Sequence, residues 1–593
     1  MGLRSRTGFP PAWPARAMAA VIGAAALLAA CGGDDDDETP PPTLRETTFG
    51  PVQGQDLSAS SGTYAWKGVP CAKPPVDALR WKAPVDPDAW SRTPRLAQQF
   101  APACVQYGRI YGPGANNTYD ASIATTLNTT VGSEDCLYLN IWRPATADAA
   151  LPVLVFIHGG SNVSGYTADP VYDGAALART ANAVVVTVNY RLGIFGWLNL
   201  PQLKDGSSAA DDSGNFATLD TIHALRFVSR NIARFGGDAG NVTVMGQSAG
   251  AINVYALLTA PQMVGASPKL MHKAVAMSGG FSLATTLPPG SLPTLNPAST
   301  ALAQGNALLQ QQVIADGLAT DVTSANAWIA TQTPAQVAAY LRGKTPATLL
   351  TTLLTRLVGL GLAGSGPIPE GTVVPTDPIA AIRAGNYLKV PVIASTTRDE
   401  AKLFPTFLAL APALGGISGR LVNDATLFNT HFNYDPDAAP TVTLAQWIPA
   451  AYLPVDTPVT GFNARTDLLN TIFFIASRND MMAALKTQQD NVWYYRFDWD
   501  EEPAPWNDIY GAAHAFDLPF VFGNFGPSLF APIANSTANR PGRLALSDAM
   551  MKSLGAFARN GDPNHTALGV TWPVWPAQLR FDASTTATAI TVQ

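Results

Sequence analysis

The sequence carries little charge for its length. Only 13% of its 593 residues are charged, whereas 47% are hydrophobic. A chain with this balance folds around a large interior and is not intrinsically disordered. Its formal net charge of −6 also argues against nucleic acid as a partner, because a basic surface would be needed to hold the phosphates.

Cysteine and histidine are scarce as well. The chain has four cysteines and six histidines, and none of them cluster with the spacing of metal ligands. The sequence therefore predicts neither a bound metal nor a cofactor. Any function that needs an imidazole has few candidates.

Long hydrophobic runs are lacking, and the longest lies at the N-terminus. The apolar residues 17–30 follow three arginines, and the run is too short to span a bilayer, so residues 1–30 are predicted to be an export signal. The run ends in Leu-Ala-Ala-Cys31, which resembles a bacterial lipobox, in which the cysteine is acylated and anchors the protein to the cell envelope membrane. An ordinary signal peptide with a chance cysteine is the alternative. The acidic, Pro-rich residues 31–42 predict a solvated tether before a globular body over residues 43–593.

Apolar runs typical of buried strands alternate with helical patterns in this body. The runs are residues 153–157, 183–190, 241–245, 273–278, 390–395 and 492–497, and residues 218–235 have the spacing of an amphipathic helix. This pattern predicts one mostly parallel, twisted sheet flanked by helices. Residues 283–362 lack strand-like runs and are predicted to be helices and loops inserted over the sheet, where they would roof a substrate pocket.

A candidate nucleophile lies directly after one of these strands. Residues 246–250 read Gly-Gln-Ser-Ala-Gly, between the run 241–245 and a helical pattern. A G-x-S-x-G motif in this position is typical of the nucleophile elbow of α/β-hydrolases, where flanking glycines leave room for a tight turn. Ser248 is therefore the predicted nucleophile.

A serine hydroxyl needs an adjacent base, and in this fold the histidine follows the serine and the acid in the chain. Four histidines follow Ser248: His272, His431, His514 and His565. His514 is favoured because it lies in a loop of small residues after a predicted strand. Glu400 is the predicted acid, since it follows the run 390–395 by a short loop. Asp399 is the nearest rival, and spacing alone does not separate the two carboxylates.

Residues 158–161 read His-Gly-Gly-Ser and follow the run 153–157. A Gly-rich loop in this place supplies backbone N–H groups that bind an oxyanion. The predicted donors are the amides of Gly160, Ser161 and Ala249.

These motifs together resemble the type B carboxylesterase family, which includes the cholinesterases. The resemblance rests on residues 66–75, 79–81, 133–140, 189–193, 235–238, 241–251, 511–524 and 561–564. It implies an α/β-hydrolase fold and hydrolysis of small-molecule esters through an acyl-enzyme. It also implies that Glu400 is the triad acid and His514 the base.

The resemblance further implies a disulfide between Cys104 and Cys136, which leaves Cys71 free. It also implies two buried ion pairs, Arg80 with Glu134 and Arg191 with Asp220. The sequence departs from the family pattern at Ser161 and Ala401, where relatives carry glycine.

Other departures concern the substrate. No tryptophan lies between Cys104 and Cys136, and Gln247 stands where cholinesterases carry glutamate. A quaternary ammonium ester is therefore not expected. The alternatives left open are carbamate, amide or polymer ester cleavage by the same machinery, and a non-catalytic cholinesterase-like binding protein.

Overall fold

The computed structural model describes residues 42–90, 92–410 and 416–593. The predicted export signal, Cys31 and the tether as far as residue 41 lie outside the described residues. Among the described residues, no helix combines the length and apolar character needed to cross a bilayer.

One large sheet of eleven strands organises the described residues. In chain order its strands are β1 (Gln55–Leu57), β2 (Thr63–Pro70), β3 (Tyr138–Pro144), β4 (Leu151–Ile157), β5 (Val184–Val188), β6 (Gly237–Gln247), β7 (Lys273–Met277), β8 (Val392–Thr397), β9 (Val492–Phe497), β10 (Leu579–Phe581) and β11 (Thr591–Val592). Across the sheet they lie in the order β11-β10-β9-β8-β7-β6-β4-β5-β3-β2-β1. Strands β4 to β10 are parallel, and the strands beyond them at both edges pair antiparallel. The six predicted runs correspond to β4 through β9, so the predicted fold class is confirmed.

The remaining elements surround this sheet. Two small sheets are formed by Leu44–Thr47, Gly50–Gln53 and Arg95–Leu96, and by Gln106–Tyr107 and Thr130–Val131. The longer α-helices are Ala175–Ala181, Phe216–Asn231, Ala249–Thr259, Ala298–Ala315, Val322–Ala330, Pro334–Arg342, Pro346–Thr352, Pro378–Arg383, Asp424–Phe432, Phe462–Asn470, Ala476–Lys486 and Arg540–Asn560. Shorter α-helices are Ser58–Ser61, Ile123–Thr126, Gly193–Gly196, Pro261–Val264, Leu444–Trp447, Trp506–Ile509, Leu518–Phe522 and Ala531–Ala534, and Leu353–Leu357 and Thr471–Ile475 are π-helical.

The central strands are buried on both faces. Along β4, Val153 and Val155 pack into one hydrophobic cluster, whereas Leu154 and Phe156 pack into the other. Successive side chains of a strand point to opposite faces, so a run without polar residues needs cover on both sides. Helices Phe216–Asn231 and Ala249–Thr259 contribute to the first cluster, and Ala175–Ala181 and Arg540–Asn560 to the second.

The inserted region 283–362 is helical, as its composition predicts. Its helices bury leucines and valines in a separate cluster with Trp81 and Phe195. The backbone of Leu292 donates to the Ile472 carbonyl at 2.9 Å, which joins the start of this region to the π-helical segment Thr471–Ile475.

Phe156 offers a test of the second cluster. Its ring is fully buried and lies 4.9 Å from Phe522 and 5.0 Å from Tyr172 between ring centroids. We expect Phe156→Ala to lower the free energy of unfolding by about 3–5 kcal/mol, because a cavity replaces the ring. Urea unfolding followed by fluorescence measures the change. Leu360→Ala, at a side chain that is 62% exposed, is the control and is expected to change it by less than about 0.5 kcal/mol.

Candidate active site

Ser248 lies in a strained turn between β6 and the helix Ala249–Thr259. Its backbone angles are φ 59° and ψ −124°, a region that non-glycine residues rarely adopt and that carries strain. The turn is held from both sides: the Ser248 N–H donates to the Met277 carbonyl at 2.8 Å, and its carbonyl accepts from Ala251 at 2.9 Å. The serine is only partly buried, so its hydroxyl is within reach of a substrate.

Two glycines make this turn possible. A Cβ on Gly246 would lie 2.3 Å from the Gly250 carbonyl oxygen, and one on Gly250 would lie 2.1 Å from the Ile157 oxygen. Both distances are far below contact, so a side chain on Gly246 would force the turn open, and one on Gly250 would push the elbow away from β4. The G-x-S-x-G spacing is thus a packing requirement of the turn.

Glu400 and His514 form a buried pair. His514 Nδ1 lies 2.5 Å from Glu400 Oε2, and the side chains are 3% and 0% exposed. The second oxygen of Glu400 accepts the Thr397 N–H at 2.8 Å. The imidazole is flanked by the rings of Phe404 and Phe474, at 5.0 and 5.1 Å between centroids. The carboxylate therefore fixes both the tautomer and the orientation of the ring.

The rival carboxylate, Asp399, points elsewhere. Its Oδ2 accepts from the backbone N–H of Ala512 at 3.0 Å and from Arg398 Nη2 at 2.7 Å. The imidazole of His514 thus contacts Glu400, whereas the carboxylate of Asp399 bonds to Arg398 and to the backbone of Ala512.

The other nitrogen of His514 contacts Gln247. The Gln247 Nε2 and His514 Nε2 atoms are 3.1 Å apart. Because Nδ1 faces a carboxylate and carries the proton, Nε2 is the acceptor and the Gln247 amide donates. In the part of the chain that the structure describes, no hydrogen bond joins Ser248 to His514. The imidazole of His514 therefore lies beside the elbow, and its Nε2 is bonded to the side chain of Gln247, the residue before Ser248.

The predicted oxyanion loop lies against the elbow. Gly160, Ser161 and Asn162 have φ values of 103°, 56° and 60°, which turns the chain sharply after β4. A Cβ on Gly159 would lie 2.9 Å from Ser248 Cβ, so this loop packs directly against Ser248.

Three amides at this junction lack acceptors. Within the described residues, the N–H groups of Gly160, Ser161 and Ala249 donate to no backbone or side-chain oxygen. Backbone donors are rarely left unpaired next to a packed core. These amides are the ones that the sequence predicts as oxyanion donors.

The other five histidines have structural contacts, and His223 Nε2 lies 3.1 Å from Asp86 Oδ1. His158 stacks on Tyr190 at 4.6 Å, and burial lowers its pKa to about 4. His431 is fully buried with a pKa lowered to about 3 by burial, and its Nδ1 contacts the Leu529 carbonyl. His272 accepts from the Val242 N–H, and His565 contacts Ser553.

The cysteines and the two predicted ion pairs are placed as the resemblance implies. Cys104 and Cys136 are joined by a disulfide, and Cys71 is free and buried. Arg80 contacts both oxygens of Glu134, at 2.6 and 2.5 Å, and Arg191 contacts both oxygens of Asp220, at 2.8 and 2.7 Å. Among the described residues, no group of three His, Cys, Asp or Glu side chains could hold a metal ion.

Sequence reasoning missed the aromatic side chains beside His514. Phe404 follows Glu400 by one turn, and its ring stacks on Phe407, which is 40% exposed. Phe474 comes from the π-helical segment Thr471–Ile475. The short distance of Phe404 from the acid could have indicated it, whereas nothing local marks Phe474.

Comparison with known proteins agrees with this geometry. A model of the carboxylesterase family matches residues 41–588. The para-nitrobenzyl esterase of Bacillus subtilis is 30% identical over 534 residues, covering 90% of this chain and 93% of that enzyme. Carboxylesterase 1C of Rattus norvegicus is 30% identical over 544 residues, covering 90% and 87%. A solved carboxylesterase structure from Geobacillus stearothermophilus is 29% identical with a TM-score of 0.66, covering 93% of this chain and 98% of that one.

A mostly parallel sheet with a serine elbow at its carboxyl edge defines an α/β-hydrolase. Within that class, the chain belongs to the carboxylesterase family. It is a carboxylic-ester hydrolase, and the family resemblance that its motifs indicate is confirmed.

A second buried carboxylate lies close to the pair. Asp517 is fully buried; its Oδ2 accepts from Tyr495 at 3.0 Å, and its Oδ1 has no partner among the described residues. Burial, and then repulsion by Glu400, raise its pKa to about 6. Well below the ordinary aspartate pKa of about 3.9, the group is protonated in the folded and unfolded states alike. The stability that this protonated form gives is lost as the pH rises to 6 and beyond.

We therefore expect Asp517→Asn to increase the free energy of unfolding at pH 8 by up to about 3 kcal/mol, and to change it by less than about 1 kcal/mol at pH 4. Urea unfolding at pH 4, 6 and 8 measures this. Asp498→Asn is the matched control, because that buried carboxylate is paired with Arg496 and Arg580 and its loss is expected to destabilise the protein at pH 8. An Asp517→Asn variant that is less stable at pH 8 than at pH 4, relative to wild type, would contradict the assignment.

Proposed function

We propose that the protein hydrolyses small-molecule carboxylic esters with Ser248 as nucleophile, His514 as general base and Glu400 as the acid that orients it. The observation that carries the proposal is the junction of three elements at one edge of the sheet. A strained serine turn, a buried carboxylate–imidazole pair and unpaired amides converge there.

In the first step the Ser248 hydroxyl attacks the ester carbonyl carbon while His514 Nε2 takes its proton. The carbonyl oxygen becomes an oxyanion, and the amides of Gly160, Ser161 and Ala249 hold it. Each such donor contributes about 2.7–4 kcal/mol of transition-state stabilisation. The tetrahedral intermediate then expels the alcohol, which receives the proton from His514, and an acyl-enzyme remains.

In the second step water attacks the acyl carbon. His514 takes a proton from the water and returns it to the Ser248 oxygen as the acid leaves. Glu400 stays ionised throughout and stabilises the imidazolium that forms in each step.

Gln247 must release the base before it can act. His514 Nε2 has one lone pair, and the Gln247 amide occupies it at 3.1 Å. Catalytic hydrogen bonds are often loose in a free enzyme and tighten when substrate binds. A small rotation of the Gln247 side chain frees Nε2 for the serine proton.

The central test is the nucleophile. We expect Ser248→Ala to lower kcat for p-nitrophenyl butyrate by about 10⁴ to 10⁶, because the acyl-enzyme can no longer form. Wild type is also expected to react with a fluorophosphonate at Ser248, detected by peptide mass spectrometry. Ser282→Ala, a buried serine outside the junction, is the control and keeps both activities.

Near-wild-type hydrolysis by Ser248→Ala would overturn the proposal. A wild-type protein that neither hydrolyses esters nor reacts with the probe would instead support a non-catalytic binding protein. A panel of esters, carbamates and amides of varied size then separates ester hydrolysis from cleavage of the other acyl groups by the same residues.

We also propose that residues 1–30 are removed on export and that Cys31 is acylated. The support is the sequence Leu-Ala-Ala-Cys31 after an apolar run, followed by the acidic, Pro-rich residues 31–42. The hydrolase body over residues 43–593 would then be tethered to the cell envelope membrane.

We expect the full chain, produced in a bacterial host supplied with alkyne-palmitate, to be labelled and to enter the detergent phase on Triton X-114 partition. Cys31→Ser is expected to abolish both and to leave kcat unchanged, because the anchor is not part of the site. Gly32→Ala, which keeps the cysteine, is the control and remains labelled. A wild-type protein that loses residues 1–30 but takes up no palmitate label would contradict acylation and would indicate an ordinary signal peptide.

A further inference from the structure

The two members of the buried pair come from loops that are far apart in the chain, and one residue joins these loops. Glu400 follows β8, whereas His514 lies seventeen residues beyond β9. Between them, Asp399 forms an isolated parallel β-bridge with Ala513, and its N–H donates to the Ala512 carbonyl at 2.9 Å. We call residues 398–400 the acid loop and residues 511–514 the base loop. The two loops meet at Asp399.

The side chain of Asp399 completes this contact. Its Oδ2 accepts the N–H of Ala512 at 3.0 Å. Both backbone polar groups of Ala512 are thus bonded to one residue, which is the neighbour of Glu400. A shift of Asp399 would move Ala512, and with it His514 two residues later.

The carboxylate is itself held in place. Arg398 donates to Oδ2 through Nη2 at 2.7 Å and Nε at 3.0 Å, and Lys402 Nζ lies 3.6 Å from Oδ1. Arg398 has a second carboxylate partner, Asp500, at 2.8 Å. Because Asp500 already balances the charge of Arg398, the arginine does not need Asp399 as a counter-ion. Charge balance alone therefore does not explain why the Asp399 carboxylate lies here.

The opposite loop is shaped for the contact. Gly511 has φ 51°, and a Cβ on it would lie 2.6 Å from Asp399 Oδ2. Only glycine allows the carboxylate to approach the chain this closely. A glycine at position 511 and a carboxylate at position 399 thus allow the two loops to contact each other closely.

We propose that Asp399 is a positioning residue that sets the distance between Glu400 and His514; this inference rests on the proposed roles of that pair. Within the described residues, the Asp399 carboxylate bonds to Arg398, Lys402 and Ala512 and to no atom of Ser248, Glu400 or His514. It acts through Ala512 and Ala513, which connect it to the base. Displacing a catalytic group by 1 Å can cost about 100-fold in rate.

Asp399→Ala is the direct test. We expect kcat to fall about 10- to 100-fold, because the base loop loses its anchor, with KM changed by less than about 3-fold. The second-order rate of fluorophosphonate labelling is expected to fall in parallel, since it also needs the base. The isosteric Asp399→Asn keeps an oxygen that can accept the Ala512 N–H, and is expected to stay within about 5-fold of wild-type kcat.

Asp498→Asn is the matched control. That carboxylate is buried, follows β9 directly and is held by two arginines, but it makes no contact with the base loop in the described residues. We expect a lower melting temperature and an unchanged kcat per folded molecule. Gly511→Ala tests the same contact from the other loop, because its added methyl group would push the Asp399 carboxylate away. We expect it to lower kcat as Asp399→Ala does.

The outcomes separate this inference from the proposed function. If wild type labels at Ser248 but folded Asp399→Ala keeps wild-type kcat, the positioning role is wrong and the triad stands. If Asp399→Ala does not fold, folded Gly511→Ala decides in the same way. A rise in KM without a fall in kcat would also overturn the role, and a wild type that does not label would overturn the proposed function.

Discussion

The parallel register of strands β4 to β10 is the constraint on which the rest of the structure depends. Gly246 pairs with Ile157, Gln247 with Met277, and Thr397 with Phe497. The strands therefore end within a residue or two of one another. In a parallel sheet all carboxyl ends lie at one edge, so loops that are hundreds of residues apart begin side by side.

The elbow shows how closely this edge is packed. Ser248 adopts its strained angles because the carbonyl of Met277 and the turn at Ala251 hold it there. Gly250 lies against the carbonyl of Ile157, and Gly159 lies against Ser248 itself. The strain is stored in a junction where neighbouring strands leave no other arrangement.

Much of this could be predicted because the determinants are local. A strand buried on both faces requires a nearly continuous run of apolar or β-branched residues, and Val242, Thr243, Val244 and Met245 form one. The tight turn after it requires glycines at fixed positions, and both are present. The candidates for the triad acid could be narrowed to Glu400 and Asp399, because both follow β8. The choice between them depends on contacts with a distant loop.

The features that could not be predicted depend on long-range contacts. Phe474 reaches the imidazole from the segment Thr471–Ile475, which has no motif. The bond of Asp399 to Ala512 spans 113 positions in the chain. Such contacts follow from the assembled sheet edge and leave no periodic pattern in the sequence.

The contact of Gln247 with His514 shows that proximity at this edge also creates competition. The Gln247 amide lies 3.1 Å from His514 Nε2, and the proposed mechanism needs the same atom for the Ser248 proton, although its single lone pair can accept only one donor well. A neutral amide forms a weaker bond to the ring than a charged group would. The imidazole of His514 is thus held by a neutral partner on Nε2, which it can leave at small cost, while the Glu400 bond on Nδ1 keeps the ring aligned.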